Sequence, residues 1–179
     1  MKKILSIIVI TSTLLLLNSC NNNEDIAGRK PPNDNQQSST PKTVDYSIAG
    51  VTGVYNIGTL NQAVIFGMPN DQKNIYGINF VSEIGGEITF IFYGSVSKTG
   101  IFSGKMMDIS GSWYNITGKF QGNVSVDIGS MNFTFDVSQV RNIPVVILEG
   151  EKQVNPITTA MLLEFQNAYN DFQRAHEGK

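Results

Sequence analysis

Residues 114–137 read YNITGKFQGNVSVDIGSMNFTFDV. Tyr114, Ile116, Gly118 and Phe120 alternate with Asn115, Thr117 and Lys119. Val124, Val126 and Ile128 alternate with Ser125 and Asp127, and Met131, Phe133, Phe135 and Val137 with Asn132, Thr134 and Asp136. A period of two sends successive side chains to opposite faces, so each run predicts a strand with one apolar face. Gly122-Asn123 and Gly129-Ser130 punctuate the stretch as predicted turns.

Strand signals continue upstream. Ile88 to Tyr93 is apolar on both faces, as a strand covered on both sides would be. Less regular runs lie at Gly53–Ile57, Gln62–Met68, Ile75–Ser82, Gly100–Asp108 and Ile143–Leu148. Pro69-Asn70-Asp71, Gly85-Gly86 and Ser110-Gly111 separate them. The number and spacing of these runs predict a mainly β fold, an antiparallel barrel or sandwich of about 8 strands. Gly77, Gly104 and Gly118 fall inside strand patterns, where glycine often marks a bulge or tight bend. A G-x-F-x-G pattern occurs at 100–104 and again at 118–122, a match that chance alone produces easily among 17 glycines.

The period changes after Asn155-Pro156, an N-cap followed by proline at the first helical position. Ile157, Met161, Phe165, Ala168, Phe172 and Ala175 then recur at steps of three and four. This predicts a C-terminal amphipathic helix over 156–176. Its Met and Phe stripe is expected to pack on the parent sheet, with a partner-binding face as the other reading.

The chain starts differently. Lys2 and Lys3 precede an uncharged run, Ile4 to Leu17, shorter than the ~20 residues a membrane-spanning helix needs. The run ends in Leu17-Asn18-Ser19-Cys20, which resembles the lipobox of bacterial lipoproteins. The resemblance implies that residues 1–19 are a signal peptide cut between Ser19 and Cys20. It also implies that the Cys20 thiol carries a diacylglyceryl group and that the new amino terminus is acylated. Two or more acyl chains are what stable anchoring requires. An ordinary secretory cleavage site, with Cys20 left as a thiol, and an uncleaved anchor are the competing readings.

Residues 20–43 form the expected tether: three prolines, many Asn, Gln and Ser, and Ile26 as the single large apolar residue. Such a segment cannot bury enough apolar surface to offset its ordering entropy. Its Asn run with Glu24 and Asp25 resembles the surface-export tag of Bacteroidetes-type lipoproteins; read plainly, it is a solvated spacer. Asn21 after the cysteine, by analogy with enteric lipoproteins, favours the bacterial outer membrane. Residues 44–179 remain as a single β-rich domain of ordinary size.

The inventory of reactive groups is thin. The chain's 13 basic residues fall to 11 once Lys2 and Lys3 are removed, against 15 acidic ones. A mildly acidic chain without a basic block argues against nucleic acid as a partner. Cys20 is the only cysteine, so its lipidation removes disulfides, thiolate catalysis and Cys-ligated metals together. His176, the only histidine, falls in the last turn of the predicted helix, so neither a Ser–His–Asp triad nor a His-based metal site is expected, and no phosphate or dinucleotide motif implies a cofactor. Among carboxylates, Glu83, Glu87, Asp108, Asp127 and Asp136 lie near or on predicted strands. A glycosidase needs two of them about 5–10 Å apart, and no pattern pairs them. No catalytic residue is assigned and the protein is expected not to be an enzyme.

Trp113 stands on the face opposite Tyr114 and Ile116, as a core residue or as a ligand anchor. Gly111-Ser112-Trp113 resembles the G-x-W motif of lipocalins, whose barrels also carry a helix after the last strands; there the motif opens the first strand, whereas here it lies in mid-domain. The expected function is that of a lipid-anchored, non-enzymatic envelope protein. Its domain would bind a protein, glycan or small apolar ligand, with Trp113, Phe165 and Phe172 as possible contacts. The alternative is an assembly accessory of an envelope or secretion complex, and a carboxylate-based hydrolase ranks last.

Overall fold

A computed structural model describes residues 43–178 except 82–85 and 124–129. Val124, Val126 and Ile128, with Asp127 and Glu83, therefore lie outside the described residues, as do Ser19 and Cys20.

Eight antiparallel strands form a closed barrel in sequence order: β1 Gly53–Ile57, β2 Asn61–Met68, β3 Asp71–Val81, β4 Glu87–Val96, β5 Ile101–Asp108, β6 Trp113–Asn123, β7 Ser130–Asp136 and β8 Ile147–Lys152. The seam is made by β1 against β8, where Tyr55 faces Lys152 and Asn56 faces Glu151. Full closure leaves no sheet edge open to another chain. A sandwich, the other architecture the strand pattern allows, is excluded. The last strand starts later than its sequence pattern predicts, at Ile147 rather than Ile143. Pro144 lacks the N–H that ladder pairing needs, and the alternating Leu148-Glu149-Gly150-Glu151 supplies the strand instead.

An eight-stranded barrel is just wide enough for side chains to fill. Here phenylalanine fills it. Phe92, Phe102, Phe120, Phe133 and Phe135 are buried inside with Tyr55, Ile65, Met106 and Ile116. The Phe102 and Phe135 rings stack at 4.4 Å between centroids, and Phe133 and Phe135 at 4.5 Å. Gly77, Gly104 and Gly118 do not mark bulges. The register slips at Gly67/Met68 and at Asn79/Phe80, and Gly77, Gly104 and Gly118 pair regularly. At Gly77, a Cβ would run into the ring of Phe92, its cross-strand partner. Gly118 and Gly150 stand in the same relation to Phe135 and Phe133. Each glycine gives up its side chain so that a cross-strand ring can lie over it.

The two G-x-F-x-G copies meet across one ladder. Phe102 pairs with Gly118 across β5 and β6, while the Phe120 N–H donates to the Gly100 carbonyl at 2.7 Å. The glycines of the two copies face other groups: Gly118 the Thr134 carbonyl and the Phe135 ring, Gly100 the Phe120 carbonyl and the Tyr46 ring. Gly122 is not a turn: it pairs with Met131 inside the β6–β7 ladder, and Val44 occupies the space its Cβ would take.

Both barrel ends are closed. At one end the segment before β1 includes a short helix, α1 Ile48–Val51, N-capped by Ser47. Val44, Tyr46, Ile48 and Val51 of this segment pack on the interior cluster. Lys152 ties the segment to β8 by donating to the Gly50 carbonyl at 2.7 Å. At the other end Val137, Val140 and Ile143 of the β7–β8 loop join the same cluster.

The apolar residues on the outer faces of β2, β3 and β4 require a second cover, and the C-terminal helix supplies it. This helix, α2 Thr159–His176, starts three residues after the predicted position because the Thr158 hydroxyl, accepting from the Met161 N–H at 3.2 Å, is the actual N-cap. Ile157 and Leu162 occupy the N′ and N4 staple positions and pack on the same outer cluster. That cluster holds Val64, Phe66, Ile78, Phe80, Ile91 and Met107 of the barrel with Tyr169 and Phe172 of the helix. The helix ends against the β5–β6 turn, where Gly111 (φ +79°) leaves room for the His176 carbonyl. Among the described residues no helix is long and apolar enough to cross a membrane.

Candidate functional site

Where the second half of α2 passes over the barrel wall it does not seal completely. A cleft of about 250 Å³ remains, lined by Tyr76 of β3, Tyr93 of β4, Trp113 of β6, and Tyr169, Gln173 and Glu177 at the helix end. The strand register builds its floor. Tyr76 and Tyr93 are direct cross-strand partners, with near-parallel rings 6.0 Å apart. Trp113 opens β6 and stands at 84° to the Tyr93 ring, 5.2 Å away. Tyr169 stands at 88° to the Tyr76 ring, 5.3 Å away. The four rings therefore meet mostly at right angles. On the helix, Gln173 and Glu177 lie one turn apart and are linked by a long amide–carboxylate hydrogen bond of 3.4 Å.

The Tyr76 phenol is held from the side. It donates to Asp71 Oδ2 at 2.7 Å, and the Asn74 amide donates to the same oxygen at 2.8 Å. Oδ1 accepts from the Lys73 and Asn74 N–H groups. Donation from the Asn74 amide first, then from Tyr76, holds the Asp71 carboxyl far below its ordinary range. Burial, reinforced by the Asp71 bond, pushes the Tyr76 phenol up to about 12. Burial also raises Tyr169, with smaller contributions from Tyr76, Tyr93 and Glu177. Tyr76 and Tyr169 are therefore neutral rings at physiological pH.

The residues singled out in the sequence fall in three places. Trp113 is half-buried and lines the cleft. It opens β6, so the G-x-W pattern does not occupy the first-strand position that the lipocalin resemblance implies. Phe165 is half-buried, with its ring stacked on Phe80 at 6.5 Å. Phe172 is 7% exposed and stacks on His176 at 4.1 Å, beside the cleft rather than in its lining. His176 completes the last turn by donating from Nδ1 to the Phe172 carbonyl at 2.8 Å.

The carboxylates serve turns. Asp108 is 1% exposed; Oδ1 accepts from the Ser110 N–H and hydroxyl, and Oδ2 accepts from the Asn142 amide at 2.6 Å. It thereby ties the β5–β6 turn to the β7–β8 loop. Asp136 accepts from the Ser138 N–H at 2.9 Å, and bonding to Ser138 lowers its carboxyl. Glu87 is exposed at the start of β4.

Sequence patterning missed Tyr76, Tyr93, Tyr169, Gln173 and Glu177. A signal for the first two was present: Ile75–Ser82 and Ile88–Tyr93 carry large apolar residues on both faces, which marks a wall that another element covers. Tyr169, 2% exposed, is central to the helix face, but an apolar stripe drawn through Ala168 and Ala175 passes it by. Ala175 is exposed.

The cleft offers aromatic faces and edges, one amide and one carboxylate. Compared with protein-family models, curated proteins and solved structures, the chain matches none.

Proposed function

We propose that this chain is a lipid-anchored, non-enzymatic protein of the bacterial cell envelope whose barrel binds a ligand through the aromatic cleft between its outer wall and α2. The observation that carries the binding reading is the convergence of Tyr76, Tyr93, Trp113 and Tyr169 with two polar groups in one cleft. Tyrosine and tryptophan give large rigid contact area at little entropic cost, and they dominate binding hot spots. The interior supports the same choice. Phenylalanine and tyrosine rings pack the interior among the described residues, while the polar groups of the cleft lie on the outer wall.

The anchor reading rests on Lys2-Lys3, the uncharged run to Leu17 and the lipobox-like Leu17-Asn18-Ser19-Cys20. Outer-membrane placement rests on Asn21, and residues 20–43 would serve as the spacer. The accessory reading, with α2 as docking face, is disfavoured because Phe165 and Phe172 are engaged by Phe80 and His176.

Trp113 is the only tryptophan, so its fluorescence reports the cleft directly. Titration with a panel of monosaccharides, muropeptide fragments and small organic cations should give a saturable emission change for at least one class. A flat response across the panel rejects the binding reading. Separately, Cys20→Ala should move the protein from the membrane fraction to the soluble one; retention in the membrane rejects the anchor.

A further inference from the structure

We infer that the cleft is a cage for an organic cation, an alkylammonium or quaternary ammonium headgroup enclosed by Tyr76, Tyr93, Trp113 and Tyr169 with Glu177 as its counter-charge. The inference rests on the cleft being a ligand site and narrows the ligand's chemistry.

Four observations point the same way. Aromatic faces carry negative quadrupole density, and cations within about 6 Å of a ring centroid are attracted to it, to tryptophan most strongly. Right-angled rings build walls rather than a platform: Tyr169 meets Tyr76 at 88° and Trp113 meets Tyr93 at 84°. A sugar stacks on a flat open face, whereas a compact cation is best wrapped from several sides. The volume of about 250 Å³ is below the ~300–1,000 Å³ of pockets for drug-sized ligands and suits one headgroup.

The electrostatics agree. Among the described residues Glu177 is the one charged group lining the cleft, and it is a carboxylate. Lys105, opposite Tyr93 across the β4–β5 ladder, is exposed and is not one of the lining groups. With Tyr76 and Tyr169 neutral, nothing in the lining offers an anion a counter-charge.

The test uses the lipidated full chain in a maltoside detergent, with Trp113 emission as readout and ionic strength held constant with sodium chloride. Choline chloride is compared with 3,3-dimethylbutan-1-ol, its uncharged isostere. Choline should bind about tenfold more tightly, the preference expected when a cation meets a partly desolvated aromatic cage. Glu177→Gln should weaken choline about threefold or more and leave the alcohol unchanged, and Tyr93→Leu should weaken choline by a larger factor. Glu177 is exposed, so its substitution does not threaten folding. Tighter binding of a phosphocholine-headed amphiphile than of choline assigns the cation to a lipid headgroup; equal binding assigns it to a free solute.

Equal affinity for choline and the alcohol overturns the inference, as does indifference to Glu177→Gln. If a sugar or muropeptide saturates the Trp113 signal and choline does not, the cation is wrong while the cleft remains a binding site. If no ligand of any class moves Trp113, the binding reading falls with it.

Discussion

The seat of the α2 terminus on the β5–β6 turn can be tested at Gly111. Its φ of +79° is a conformation that a side chain makes costly, and a Cβ there would overlap the His176 carbonyl oxygen. Placing alanine in the left-handed region costs ~1–2 kcal/mol. The overlap adds to this, because the atom in the way is backbone at the end of an 18-residue helix. Forced repacking of this kind costs ~1–3 kcal/mol. Gly58→Ala is the matched control: φ is +60° and nothing lies within 4 Å of the new Cβ, so it carries the conformational cost alone. At roughly 3–4 °C per kcal/mol for a domain of this size, Gly58→Ala should lower the Tm by about 3–8 °C and Gly111→Ala by about 6–20 °C. The second variant should also shift Trp113 emission, since displacing the helix end loosens the Phe172–His176 stack and opens the cleft. Calorimetry and fluorescence on both variants give the answer. Equal Tm losses with unchanged Trp113 emission would refute the docking of α2 on that turn.

Three further outcomes follow from the packing. Gly77→Ala should destabilise the native chain but cost little in a Phe92→Leu background, because the three atoms nearest the new Cβ all belong to the Phe92 ring; a double-mutant cycle by urea unfolding should return a coupling of about 0.5–3 kcal/mol. Asn79 is 4% exposed, its amide donating to Thr89 Oγ1 at 2.7 Å while its Oδ1 has no partner among the described residues; Asn79→Leu with Thr89→Val removes that acceptor and the group its amide serves, and should leave stability unchanged or raise it by about 1–3 kcal/mol, read as Tm. Asp71 has a folded-state carboxyl held below the unfolded value of 3.8, so the stability it contributes is full above that value and is lost as pH falls through the lower folded value; Asp71→Asn should flatten the acid limb of the stability–pH curve, measured as Tm at stepped pH.

Much of the architecture was legible in the chain. Period two in Met131–Val137 and Tyr114–Phe120 names strands whose inward residues are the barrel's interior rings. The helix was legible from its three- and four-residue steps, and the two-faced apolar run at Ile88–Tyr93 marked a wall covered on both sides. Closure was not legible, because it depends on β1 meeting β8, a pairing between strands nearly a hundred residues apart. Nor was the role of the glycines: Gly122 reads as a turn until Val44, distant in sequence, is seen in its place. The cleft was harder still. Trp113 was visible as a lone indole, but Tyr76, Tyr93 and Tyr169 become one site only through cross-strand register and the azimuth of α2. Both are set by tertiary packing, and local propensity carries little of that information.

The claim on which the functional account turns is that the outer aromatic cleft, not the barrel interior, holds the ligand. The direct measurement is the nuclear Overhauser effect between the trimethylammonium protons of choline and the ring protons of the protein. The account predicts cross-peaks to Trp113, Tyr93 and Tyr169, lost in Tyr93→Leu. Cross-peaks to Phe102, Phe120 or Phe135 of the interior, or none to any ring, would contradict it.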